Sequence, residues 1–498
     1  MKTLIKIGFL SAATWLVMAA GVALCQVRPH PQGYLISTPH PTNPAASTTN
    51  PSALATQGQN PYFGSLPAGK ATDEVISLSL RQAVERGLRY NLGLIESSQG
   101  TAEVRAQRLR TLSALLPNLS VKGEQAFEDD SLKEIGLKLP PFPGFPGLPA
   151  TSGAFSYQDA RVSLPQSLYS AELHDRYGAQ KSAEQASAFS TRDARDVVVY
   201  AVGIAYLQVV ASAARVETAR AQLESAQELD QQTADQVKNE VSPEIDSIRA
   251  QVQRRTAEQR LINATDSFEK DKLALGRIIG IPIDQKFDLL NATAYRPLPE
   301  LTQQSATAEA LQDRADLRSA EANVHAADYG VRAEKAQRFP AFSLRADYGG
   351  AGVNGGSFNS VYTVAGSVSF PIYTGGRIRA DLDEARANLA RRQAEYEDLK
   401  GRVAYDVRVA WLDLGASDTG VEVAQKNQAL AERALTQSRD RYSNGVTNYL
   451  EVLQAQETLT AAQEKYIQSF YSFSVSKMAL ARAMGVAERR FSEFFGGK

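Results

Sequence analysis

YAVGIAYLQVVASAARVE, Tyr200 to Glu217, has a counterpart in YDVRVAWLDLGASDTGVE, Tyr405 to Glu422, and this pair decides the fold. Tyr200, Val202, Ala205, Leu207, Ala211, Ser212, Val216 and Glu217 each recur 205 positions further on. The same offset carries Asn239 and Val241 to Asn444 and Val446, and Ala274, Leu275, Arg277 and Gly280 to Ala479, Leu480, Arg482 and Gly485. About 80 residues hold one register without a gap, longer than shared composition sustains, so the sequence reads as an internal duplication. Upstream, Pro117 pairs with Pro340 at an offset of 223 and Pro165 with Pro371 at 206, which leaves 17 extra residues in the first copy. They fall around Pro140 to Gly147, PPFPGFPG, a loop composition that marks an exposed connection.

Working outward from the repeat, each half reads as helix, two strands, long helix, return helix. Ser79 and Gln82 form a capping-box start. The helices that follow, to Leu115 in the first copy and over 316–338 in the second, stop just before a proline, as the steric restriction on the preceding residue requires. Paired alternating segments come next, at 119–127 with 156–164 and at 342–350 with 362–370, apolar on one face and polar on the other. Their length suits a tilted membrane strand, although a half-buried soluble hairpin has the same pattern. The long helices, 166–238 and 375–441, contain no proline, and each would extend about 100 Å at 1.5 Å per residue, more than a compact domain is wide. The chain then turns and returns over 244–279 and 449–484. If the strands lie in a bilayer they must close into a barrel, and four per chain are too few, so several protomers share one. The four prolines Pro117, Pro165, Pro340 and Pro371 are expected at the four strand–helix junctions, where a fixed φ and a missing N–H suit an abrupt change of backbone.

Composition bounds the rest. Lys plus Arg (54) against Asp plus Glu (55) gives a formal charge of −1, which does not point to nucleic acid. The only long apolar run expected is Ile7 to Leu24, behind Lys2 and Lys6, the layout of a secretory signal peptide over 1–25, with an uncleaved anchor helix as the alternative. The single cysteine, Cys25, either carries a lipid or leaves with the signal, and an intrachain disulfide is excluded. Residues 26–72 are rich in Pro, Ser, Thr and Asn and read as a disordered tether, followed by repeats at 73–290 and 291–485 and a C-terminal tail at 486–498.

The duplicated element order resembles the TolC-like outer-membrane efflux family. The resemblance is carried by VSFPIYTGGR (Val368 to Arg377), by Asn444-Gly445-Val446 before Leu450-Glu451-Val452-Leu453, and by the ending Leu480 to Gly485. It implies an α+β membrane protein in which three protomers, each giving four β-strands, share one barrel in outer-membrane lipid, continued by a periplasmic helical barrel. It implies a passive duct, not an enzyme, working with a periplasmic adaptor (membrane fusion protein) and an inner-membrane transporter, without cofactor or metal. In the family a tyrosine before the second turn bonds an aspartate beyond the first, and acidic residues after the second turn ring the periplasmic mouth. Tyr442, Asp246 and Glu451 match these positions; Gln454 stands at the second acidic place, and Thr447 where the family has an arginine. The turns Val241-Ser242 and Gly445-Val446-Thr447 match the adaptor contact, with Glu240 departing where Gly445 agrees.

Catalytic spacings are missing: there is no HExxH, P-loop or nucleophile elbow, and Ala351 to Gly356, though Gly-rich, joins two strands instead of opening a helix. A periplasmic coiled-coil adaptor or scaffold without a channel is the competing reading, and a type I secretion duct a second one within the channel class.

Overall fold

A computed structural model describes residues 60–131, 136, 143, 150–240, 242–290, 301–353 and 358–495. All belong to one unit, Thr56–Lys498. The expected signal peptide, the tether up to residue 59, Val241, nearly all of the Pro-rich insertion and residues 354–356 of the Gly-rich loop lie outside the described residues.

In chain order the elements are β1 (Ile76–Leu78), α1 (Leu80–Tyr90), α2 (Leu92–Ser113), β2 (Ser120–Glu128), β3 (Phe155–Tyr169), α3 (Ala171–Lys238) and α4 (Glu244–Ile279). There follow β4 (Phe287–Leu289), α5 (Gln303–Asp313), α6 (Ala315–Ala336), β5 (Ala341–Val353), β6 (Asn359–Ser369), α7 (Arg377–Ser443), α8 (Tyr449–Ala483) and α9 (Phe491–Phe495). The fold is α+β and mostly helical. The Ser79–Gln82 capping box opens α1. The long helices run 68 and 67 residues, about 100 Å each.

Strands β2, β3, β5 and β6 make one antiparallel sheet in that order, so β2 and β6 are open edges within the chain. The register sets Val121 opposite Val162, Val162 opposite Tyr348, and Tyr348 opposite Tyr362. Leu119, Val121, Phe127, Phe342, Tyr348, Tyr362, Val364 and Val368 therefore share one face, and it is bare: Val121 is 78% exposed, Phe127 80% and Tyr362 78%, whereas Asp347 on the other face is 7%. A contiguous apolar surface of this kind on a soluble chain would be an association site.

Pro165 corrects the sequence reading. It lies inside β3, opposite Arg345, and the strand continues to Tyr169 opposite Phe342. The pairing of β3 with β2 ends at Ser163, so from Leu164 onward the strand has a partner on one side only, where a residue without N–H is tolerated. The junction is instead at Ser170, whose hydroxyl accepts from the Leu173 N–H at 3.3 Å; α3 accordingly starts five residues later than expected. Pro117, Pro340 and Pro371 do flank β2, β5 and β6.

Four features escaped the pattern. The three-residue strands β1 and β4 pair in parallel, and Tyr206 from α3 donates its hydroxyl to Leu290 O at 3.1 Å beside them. Helix α5 precedes α6 where none was expected. The stretch in α3 around Val198, Val199, Val202, Tyr206 and Val209 is a second apolar run, long enough to cross a membrane by composition, and it is the centre of the buried core. The C-terminal segment is more than a tail: Val486, Ala487 and Phe494 are buried in that core, and the Glu488 N–H donates to Asp196 Oδ1 at 2.9 Å.

Candidate functional site: the paired helical turns

Both long helices end in turns that share one backbone plan. After α7, Gly445 takes φ 69°, its N–H donates to Tyr442 O at 3.0 Å and the Val446 N–H to Arg441 O at 2.8 Å, a left-handed C-terminal cap. After α3, Glu240 takes φ 59° in the equivalent place, the only non-glycine with positive φ among the described residues. The departure seen in the sequence thus changes the residue but not the left-handed conformation. Asn448 then caps α8 by accepting the Glu451 N–H at 3.3 Å, and Pro243 is the cap residue of α4, where its missing N–H costs nothing.

The two turns meet. Ser242 Oγ stands 3.5 Å from the Tyr442 hydroxyl and donates to Asp246 Oδ2 at 3.3 Å. Tyr442 and Asp246, paired by the resemblance, are therefore linked through Ser242, a residue expected only to face an adaptor. Asp246 is buried and ion-paired to Arg249 one helical turn on, at 3.3 Å. Beneath this lies a small apolar cluster of Leu229, Ala250, Leu435, Tyr442, Tyr449 and Val452, with the Tyr442 and Tyr449 rings edge-to-face at 5.9 Å. The Tyr449 hydroxyl is fully buried and has no hydrogen-bond partner among the described residues. Burial first, then Tyr442, Asp230 and Asp246, push its pKa up to about 12. A buried unpaired hydroxyl is a net cost, so Tyr449→Phe is expected to leave the turn region as stable or to stabilise it by about 1 kcal/mol, read as slower amide exchange at the start of α8. Faster exchange would show that the hydroxyl is satisfied.

Glu451 is held from two sides: the Thr447 hydroxyl donates to its Oε2, and Arg441 Nε lies 3.4 Å from its Oε1. The cation beside Glu451 thus comes from the last turn of α7, while the position where an arginine was missed supplies a hydroxyl. Gln454 is exposed on the next turn of α8. Arg441 and Arg249 were not singled out in the sequence, although Arg249 stands at the i+3 spacing of a helical ion pair to Asp246. Gly445 and Val446 are exposed, and Val446 (67%), Ile245, Ile248 and Leu450 leave apolar surface beside the turns. No group of three or more His, Cys, Asp or Glu able to hold a metal occurs among the described residues.

A family profile described as "Outer membrane efflux protein" matches residues 306–486. The chain is 26% identical over 430 residues to the probable efflux pump outer membrane protein SepC of Pseudomonas putida, covering 82% of this chain and 83% of SepC. It is 28% identical over 244 residues to the outer membrane efflux protein BepC of Brucella suis, 48% of this chain and about half (52%) of that relative. The outer membrane protein VceC of Vibrio cholerae superposes with a TM-score of 0.68 at 19% identity, over 82% of this chain and 96% of VceC, which extends the likeness of fold to nearly all of that structure.

Proposed function

We infer, for a chain that belongs to the TolC-like family of outer-membrane efflux proteins and lies in the outer membrane, that it is the passive duct of a tripartite export system. One observation carries the reading. A four-stranded antiparallel sheet with a bare apolar face and two open edges is joined to helices about 100 Å long. Open edges leave N–H and C=O groups unpaired, which hydrocarbon does not tolerate, so the sheet closes only with strands of other copies. Three copies would make a twelve-stranded barrel, within the range of outer-membrane barrels. The internal duplication accounts for the equal lengths of α2 and α6, 22 residues each, and of the two long helices to within one residue.

The paired turns are the closable periplasmic end. Ser242, bonded to Asp246, reaches Tyr442 and ties one turn to the other, Arg249 pairs Asp246 within α4, and Glu451 with Gln454 faces the mouth, where an amide in place of a second carboxylate lowers the charge of the ring. The exposed apolar groups beside Gly445 and Val446 suit the helical hairpin of a periplasmic adaptor, which would connect the duct to an inner-membrane transporter. A scaffold without a channel leaves the apolar face of the sheet without a use.

In planar bilayers the purified chain is expected to conduct, and Tyr442→Phe with Asp246→Ala to raise that conductance several-fold by releasing one turn from the other. Conductance unchanged by the double substitution would remove the latch; recovery of the mature chain in the soluble periplasm would remove the duct.

A further inference from the structure

The polar face of the sheet carries ionisable groups in a regular order. Lys122 Nζ lies 2.6 Å from Glu124 Oε2, Arg161 Nη2 2.5 Å from Asp159 Oδ2, and Arg345 Nε 3.0 Å from Asp347 Oδ2. Each pair joins residues two apart on one strand, which share a face. There is one in β2, one in β3 and one in β5, while β6 presents Asn359, Val361, Thr363, Ala365 and Ser367 to that side. Neutral hydroxyls fix the acids: Tyr157 donates to Asp159 at 2.7 Å and Ser163 to Asp347 at 2.5 Å.

The register turns these pairs into rows. Glu124 is opposite Asp159, Lys122 opposite Arg161, Ser163 opposite Asp347, and Pro165 opposite Arg345. Along the strand direction the rows therefore run acidic, basic, acidic, basic. Like charges stand side by side across the first two rows, an arrangement that is unfavourable by itself, and neutralisation comes from the next row. Successive rows are about 7 Å apart, inside the Debye length of about 8 Å at physiological ionic strength, so the fields of neighbouring rows overlap and cancel for an ion passing them. Glu128, at the end of β2, is the remaining ionisable group on this face among the described strand residues.

We propose that the polar face is a charge-balanced belt lining the barrel, which keeps the lumen wet yet passes cations, anions and zwitterions with little discrimination. The proposal rests on the duct reading above, in which the apolar face meets lipid and this face meets water. Selection of what is exported then falls to the periplasmic end and the partners there, and the barrel acts as an unselective exit.

Reversal potentials of the reconstituted chain across a KCl gradient test this. Because the belt's acidic and basic groups balance, removing either set is expected to move the K⁺/Cl⁻ permeability ratio away from the wild-type value, in opposite directions. Glu124→Gln, Asp159→Asn and Asp347→Asn together shift it several-fold toward chloride; Lys122→Gln, Arg161→Gln and Arg345→Gln together shift it several-fold toward potassium. Should a triple variant fail to assemble, Lys122→Gln and Glu124→Gln singly, at the most exposed pair, give smaller shifts of opposite sign. Conduction with a ratio that both sets leave unmoved, or that both move in the same direction, overturns the belt while the duct stands. Absence of any conductance overturns both.

Discussion

Gly349→Val is expected to abolish assembly of the chain in the membrane. A Cβ at this position of β5 would stand 2.0 Å from the Ala160 carbonyl oxygen and 2.6 Å from Arg161 Cα, both backbone atoms of β3. No rotamer relieves a clash with backbone, so the strands must part where Gly349 is opposite Arg161. In hydrocarbon each backbone group left unpaired costs several kcal/mol, and a break in the middle of the sheet frees more than one. The measurement is the yield of folded, heat-modifiable oligomer in the outer-membrane fraction. Gly366→Val is the control, since a Cβ at Gly366 in β6 meets nothing within 4 Å. Equal yields from the two variants would show that the β3–β5 approach is looser than described.

The second large effect is expected at Arg482. Its Nη2 lies 2.8 Å from Asp193 Oδ1, with only 20% of its side chain accessible. Burial works against its charge, but Asp193, Asp316 and Asp196 outweigh burial and hold its pKa above the ordinary value. Arg482→Met keeps the unbranched aliphatic stem but removes the guanidinium, leaving Asp193 without its ion-pair partner at a cost of about 3 kcal/mol, the low end for a broken buried pair because some solvent reaches it. Asp196 adds a pH signature. Burial raises its pKa, while the Glu488 N–H and Arg482 lower it, so losing Arg482 raises it further. A carboxyl whose folded pKa exceeds its unfolded value contributes stability below the unfolded pKa, and that contribution is lost as pH rises through the folded one. The deficit of Arg482→Met should therefore narrow as pH falls from neutrality toward the ordinary carboxylate range, read from unfolding midpoints of the reconstituted chain. A deficit independent of pH would mean that packing alone is lost.

Much of this was legible in the residues because it is local. The alternation of Phe342, Leu344, Ala346 and Tyr348 placed β5 within a few residues, the helix at 244–279 was read to its exact ends, and Ser79 with Gln82 marked the start of α1. What failed depends on partners distant in sequence. Pro165 reads as a junction until Arg345 is seen opposite it, and β1 and β4 exist only because each pairs the other across some two hundred residues. The apolar run around Val198 to Val209 was passed over because its core is assembled from α1, α4, α7 and α8. At the turns, the resemblance singles out Tyr442, Asp246 and Glu451 as candidates, but the groups that touch them, Ser242 and Arg441, emerge only when the two turns are brought together.

The central claim is that the open sheet of one chain closes with the sheets of other copies into a conducting barrel. Its most direct measurement is the native mass of the mature chain extracted from outer membranes in detergent, with the same sample then reconstituted in planar bilayers. A mass of three copies together with ion conductance is expected. A monomeric mass from a chain that leaves the membrane with salt washing, and that does not conduct, would contradict it.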